Sequence, residues 1–136
     1  MTIQGVVNDI QDTILALSGI KAAPDYPPNK IAIAPAAITY PASGSLGANS
    51  AGWFQELHNV NIDLVVPMLD MTSDFTKLNP YLRSIPNELF DDLTFGGNAS
   101  TFDTVTYTLI TFEDAGVAYR GYRFTVNNIK ITPAIT

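Results

Sequence analysis

Residues 58–66 read HNVNIDLVV. Val60, Ile62, Leu64 and Val66 fall on one side of an extended chain, and Asn59, Asn61 and Asp63 fall on the other. This period of two predicts a strand with one buried face. Pro67 ends it, and from Asp70 onward the period changes. Leu78, Leu82, Ile85, Leu89 and Leu93 recur at steps of three and four, which predicts an amphipathic helix. Pro80 and Pro86 interrupt that stretch, because an interior proline removes a hydrogen bond and clashes with the preceding turn. Two short helices or one kinked helix are expected, with Ser84 as a possible cap of the second piece.

The pattern extends in both directions. Upstream, Ile3, Val6, Val7, Ile10, Ile14 and Leu17 form a helical stripe that Ser18 and Gly19 end. The proline-rich connector Ala22–Asn29 follows. Lys30–Tyr40 then alternates as a strand, which Pro35 demotes to an edge or broken strand and Pro41 closes. Residues 42–52 (ASGSLGANSAG) read as a long loop ending in Trp53 and Phe54, which pack back on the core or anchor a subunit interface. Downstream, Phe95–Thr101 reads as a turn and Thr104–Phe112 (TVTYTLITF) as a strand rich in β-branched residues. Glu113–Gly116 reads as a hairpin turn and Val117–Thr132 as the returning strand. In that strand Ile129 and Ile131 lie out of phase with Tyr122, Phe124 and Val126, so a bulge near Asn127 and Asn128 is expected. The expected fold is therefore α+β: a mainly antiparallel sheet of about four strands with two amphipathic helices on one face. The 136 residues form one domain, 1–136.

Composition narrows the function. Hydrophobic residues make up 46% of the chain, as in a globular protein. Charged residues are 15%, against about 25% in typical domains. A charge-poor surface suits one covered by partners. The net charge of −6 argues against a protein that grips nucleic acid. With no cysteine, disulfides, thiolate nucleophiles and cysteine-based zinc sites are excluded. The N-terminus lacks the basic region of a signal peptide, and no apolar run reaches membrane-spanning length.

Residues with catalytic chemistry are few and scattered. His58 is the one histidine, and Asp63 lies about 16 Å along the same strand, on its opposite face. Asp91 and Asp92 are adjacent and point apart on a helix. Asp70 and Asp74 suit the first turn of a helix, and Glu113 and Asp114 suit a turn. Gly96-Gly97 has no following lysine and matches no phosphate-binding pattern. Arg120 and Arg123 flank Gly121-Tyr122, a possible small basic and aromatic spot. No enzyme activity, cofactor or metal is expected. A small enzyme or ligand-binding domain rests only on the α+β class.

The layout resembles the tail-terminator proteins of phages with long non-contractile tails, also called tail-completion or minor tail proteins. The resemblance runs through most of the chain. It rests on the break Leu17-Ser18-Gly19, the connector Tyr26-Pro27-Pro28 and the proline-interrupted strand Ala34–Pro41. It rests also on the strand Val60–Val66, the helix ending Glu88–Leu93, and the terminal strand with Tyr119-Arg120-Gly121-Tyr122-Arg123-Phe124. The resemblance implies a homo-oligomer, a hexameric ring at the head-proximal end of the tail tube in the virion. Its partners would be the tail-tube protein and a head-completion or connector protein, with no membrane. DNA would pass through the pore without sequence-specific binding. A head–tail joining protein or a tube subunit of the same virion is the alternative. The expected contacts are the 42–52 loop with Leu46, the aromatic pair Trp53 and Phe54, the Glu113–Gly116 turn with Asp114, and Arg120, Tyr122 and Arg123.

Overall fold

The computed structural model describes residues 2–23, 35–48, 54–114 and 116–131. Helix α1 spans Ile3–Leu15, and strands β1 and β2 span Ala36–Ala48 and Phe54–Pro67. Helices α2 and α3 span Met71–Leu78 and Tyr81–Asp91, and strands β3 and β4 span Thr104–Asp114 and Val117–Ile131. The four strands form one antiparallel sheet in the order β1-β2-β4-β3. The helices pack on one face of it: α1 on β1 and α3, and α2 on β2 and β4. The α+β expectation holds.

Local chemistry starts and stops these elements. Thr2 Oγ1 accepts the Gly5 N–H at 3.0 Å and caps α1. Asp70 Oδ1 accepts the Ser73 N–H at 2.8 Å and caps α2, as its position suggested. The helical stretch after Asp70 does break in two, but at Asn79-Pro80. Ser84 therefore caps nothing; it lies inside α3 and donates to the Pro80 carbonyl at 3.3 Å. Pro86 sits within α3, where buried Ile85 and Leu89 hold the helix to the core despite the lost hydrogen bond.

The even-numbered residues of β2 build the core. Val60, Ile62 and Leu64 are fully buried against Val6, Ile10 and Ile14 of α1 and Leu78 and Ile85 of α2 and α3. On β4, Phe124 and Val126 join them. Val126 pairs with Val60, yet Ile129 pairs with His58, so two residues of β4 oppose Asn59 alone. This is the expected bulge. It returns Ile129 and Ile131 to the core face, where both are fully buried. Asn128 takes φ 57°, and its N–H donates to Asn59 Oδ1 at 3.0 Å. Gly121 is required on the same strand, because a Cβ there would collide with the Leu64 carbonyl oxygen.

Two expectations about β1 change. The described strand begins after Pro35, and Lys30–Ala34 lie outside the described residues. Pro41 does not close it: the strand runs on to Ala48, so most of the expected 42–52 loop is paired backbone. The register shifts between Pro41 and Ser43, a bulge at the proline. An edge strand tolerates both: beyond its start, where the Ala37 N–H donates outward to the Ala22 carbonyl at 2.9 Å, β1 has ladder bonds to keep on one side only.

Thr39 carries the one unsatisfied buried side-chain polar atom among the described residues, its Oγ1, and the residue is 0% exposed. Thr39→Val should therefore raise stability by about 1 kcal/mol, read as a higher urea midpoint at unchanged slope. An unchanged midpoint would mean that the hydroxyl has a partner.

A second strain lies between α1 and the end of α3. Asp92 accepts the Gly96 N–H at 2.7 Å and the Thr94 N–H and hydroxyl, which together hold its carboxyl below the usual range. Burial first, then the charges of Asp92 and Asp12, raise the pKa of Asp9. The folded chain thus holds the Asp9 proton more tightly than the unfolded chain, so this contribution to stability is present in acid and lost as pH rises through the folded value. Asp9→Asn should raise Tm at pH 7, and the gap from wild type should close as the pH falls below 4. A gap independent of pH would show that charge is not its cause.

Candidate functional site

Arg120 and Arg123 lie three residues apart on β4 and so point to opposite faces of the sheet. The single basic and aromatic spot suggested by their spacing is divided in two.

On the helix-free face, Arg123 sits directly across from Asp63 of β2. Its Nε and Nη2 donate to Asp63 Oδ1 and Oδ2 at 2.8 and 3.1 Å, a two-pronged ion pair. Tyr40 of β1 donates its hydroxyl to Asp63 Oδ2 at 2.7 Å. The hydrogen bonds it donates to Asp63 hold the guanidinium above its ordinary pKa, and burial raises that of the Tyr40 hydroxyl. Around this network stand Ile38, Ile110 and Phe112, with the Phe112 ring stacked on Tyr119 at 5.4 Å. The face is concave enough that Ile38 and Tyr40 of one edge strand and Leu109–Phe112 of the other line one pocket of about 520 Å³ with Asp63 and Arg123.

On the helix face, Asp74 of α2 is fully buried. Arg120 Nη1 donates to its Oδ2 at 2.7 Å, and the guanidinium lies 5.6 Å from the Phe75 ring centre. Asp74 also accepts the Leu69 N–H at 3.2 and 3.3 Å, while the Met68 N–H donates to the Ala118 carbonyl at 2.8 Å. This scaffold holds up the 68–71 segment, which presents Met68, Leu69 and Met71 to solvent beside exposed Val117. Leu69 is 73% exposed. Tyr122 is buried, and its hydroxyl donates to Asn79 Oδ1 at 2.8 Å.

At the other end of β2, Leu46 pairs across from Glu56, and Ala48 pairs across from Phe54. Leu46 and Phe54 therefore share one face of the β1–β2 hairpin, 64% and 52% exposed. Trp53 lies outside the described residues. Asp114 closes β3 at the opposite end, paired with Val117. The proposed contact residues thus occupy four places: Leu46 with Phe54, Asp114, Arg120 with Tyr122, and Arg123.

His58 has a partner other than Asp63. Its Nε2 lies 2.9 Å from Glu56 Oε1, two residues away and on the same face of the strand. The period of two that separates Asp63 from His58 is what brings Glu56 to it. Among the described residues, no group of three or more His, Asp or Glu side chains is placed to hold a metal ion, and no helix is long and apolar enough to cross a membrane. No protein-family model matches the chain, and a search of curated proteins finds no significant relative.

The two ion pairs differ in burial, and that difference can be measured. Arg120→Ala leaves the carboxylate of Asp74 buried without its cation and should cost about 3–5 kcal/mol. Arg123 is 39% exposed at its side chain, so water can reach Asp63 once the guanidinium is gone. Arg123→Ala should cost about half as much or less. Denaturant titration of both variants compares them, and equal losses would refute the ranking.

Proposed function

We propose that this chain is a structural virion protein that caps the head-proximal end of a long, non-contractile phage tail as a ring. It ends tube growth and forms the surface that meets the head. The observation that carries this reading is the element order, α1–β1–β2–α2–α3–β3–β4, on a sheet whose described helices all pack on one face. The surface supports it. Arg120 and Arg123 are engaged within the chain by Asp74 and Asp63. Exposed apolar side chains stand at both ends of the 14-residue β2: Leu46 and Phe54 at one, Met68, Leu69 and Met71 at the other. Two unlike patches on one subunit suit a ring, in which each copy meets its two neighbours through different surfaces. The net charge of −6 suits a pore that lets DNA slide without gripping it.

Termination follows from two unlike ring faces: one binds the last ring of the tube, and the other rejects a further tube ring. The length of the β1–β2 hairpin favours one second reading, a tube subunit of the same kind of tail, since such subunits carry a long hairpin between rings.

Light scattering coupled to size exclusion should find a species near six times 14.7 kDa, alone or after addition of purified tail tubes. Gold-labelled protein should then mark one end of each tube in electron micrographs. Label along the whole tube would favour the subunit reading, and a monomer that binds no tube would overturn both.

A further inference from the structure

Among the described residues, β3 pairs with β4 and with nothing on its other side. Such an edge presents a row of unpaired backbone groups that natural sheets usually guard with proline, lysine, bulges or brevity. The opposite edge strand is guarded: β1 carries Pro41, a register shift and two glycines. β3 has none of these devices. It pairs with β4 from Thr104↔Asn127 to Asp114↔Val117 without a register shift, and Thr104–Phe112 contains no charge, proline or glycine. The helices also stop short of it, so Tyr107 and Leu109 on the helix side are 59% and 51% exposed.

The charges at the two ends of this strand decide what can lie beside it. A second copy of β3 placed antiparallel about Thr108 would set Thr104 against Phe112 and Asp103 against Glu113. Asp103 and Glu113 are both exposed. Like charges would thus stand directly opposite each other at both ends, with one Asp114 adding to each end, which is destabilising. A strand with a neutral middle and basic ends meets the opposite situation. On the helix-free face, the pocket of about 520 Å³ begins at Leu109–Phe112 and is walled by Ile38, Ile110 and Phe112. That pocket lies over β2 and β4, inward of β3, so the charges at the ends of the strand and not the pocket select the partner. In such edge recognition backbone hydrogen bonds supply affinity, and here the charged ends supply selectivity.

We infer that the free edge of β3 is a docking site for an extended segment of another protein, uncharged over about eight residues and basic at both ends, which binds as a fifth strand. This inference does not depend on the ring reading.

The test uses two fluorescein-labelled peptides, each with seven alternating threonine and valine residues. One carries two lysines at each end and the other two glutamates. Fluorescence anisotropy at low salt should show the lysine-ended peptide binding at least about tenfold more tightly. Its binding should slow hydrogen exchange at Thr104–Phe112 while leaving β1 unchanged. Glu113→Lys should shrink the preference between the peptides, with exchange in β2 unchanged as the sign of an intact fold. Equal binding of the two peptides, binding of neither, or protection gained on β1 would overturn the inference. So would protection of β3 that rises with protein concentration alone, because it would assign the edge to a second copy.

Discussion

The contact between Asn59 and Asn128 sets the register of the two central strands. Side chains alternate along a strand, so a slip of one residue sends every later residue to the other face. Without the extra residue at 127–128, Ile129 and Ile131 would leave the core and Lys130 would enter it. The Asn59 side chain accepts the Asn128 N–H, and the Asn128 amide in turn donates to Asp103 Oδ2 at 2.8 Å. Asparagine tolerates the left-handed backbone this needs, at φ 57°. The bulge also joins a third strand to this pair. Asp103 leads directly into β3, so the same pair of asparagines that aligns β2 with β4 sets where β3 begins.

The two arginines of β4 extend that order outward. Arg120 ties α2 to the helix face through Asp74, and Arg123 ties β1 to the other face through Asp63 and Tyr40. Each carboxylate is satisfied by more than one donor, which is the condition for leaving it buried. Asp74 also fixes the backbone of Leu69. A group that looks purely structural thereby determines that a large apolar residue faces water. The chain's few internal charges shape its surface by fixing the backbone that carries it.

Much of this was legible in the sequence. The alternation of Val60–Val66 located β2, the stripe from Ile3 located α1, and the phase change after Val126 located the bulge. These signals are local, and each is set by burial on one face. What was not legible depended on partners distant in the chain. Arg120 meets Asp74 across 46 residues and Arg123 meets Asp63 across 60, and no periodicity encodes either meeting. Pro41 reads as a stop because a central strand cannot hold it. The edge or broken strand that Pro35 suggested is an edge, and there the donor missing at Pro41 leaves no ladder bond unmade, so the strand runs on. The pairing of His58 with Glu56 was within reach of the sequence, because residues two apart share a strand face. The exposed Met68, Leu69 and Met71 were not, since nothing in a short apolar run tells which way it will point.

The two edges of the sheet carry different kinds of sequence, and burial does not explain the difference. Both strands are long and almost free of charge. If solubility alone governed them, both would carry the same defences against stray pairing. Yet β1 is broken by Pro41, while β3 is a regular run of threonine, valine, tyrosine, leucine and isoleucine. Pro41 and the two glycines of β1 bend and loosen a strand whose exposed end also carries the apolar hairpin face. The regularity of β3 keeps straight a strand that, among the described residues, pairs on one side only. Charge is withheld from the middle of β3 and concentrated at its ends, in Asp103, Glu113 and Asp114. A strand arranged in this way carries its charge at its ends while, among the described residues, its outer backbone edge has no partner strand.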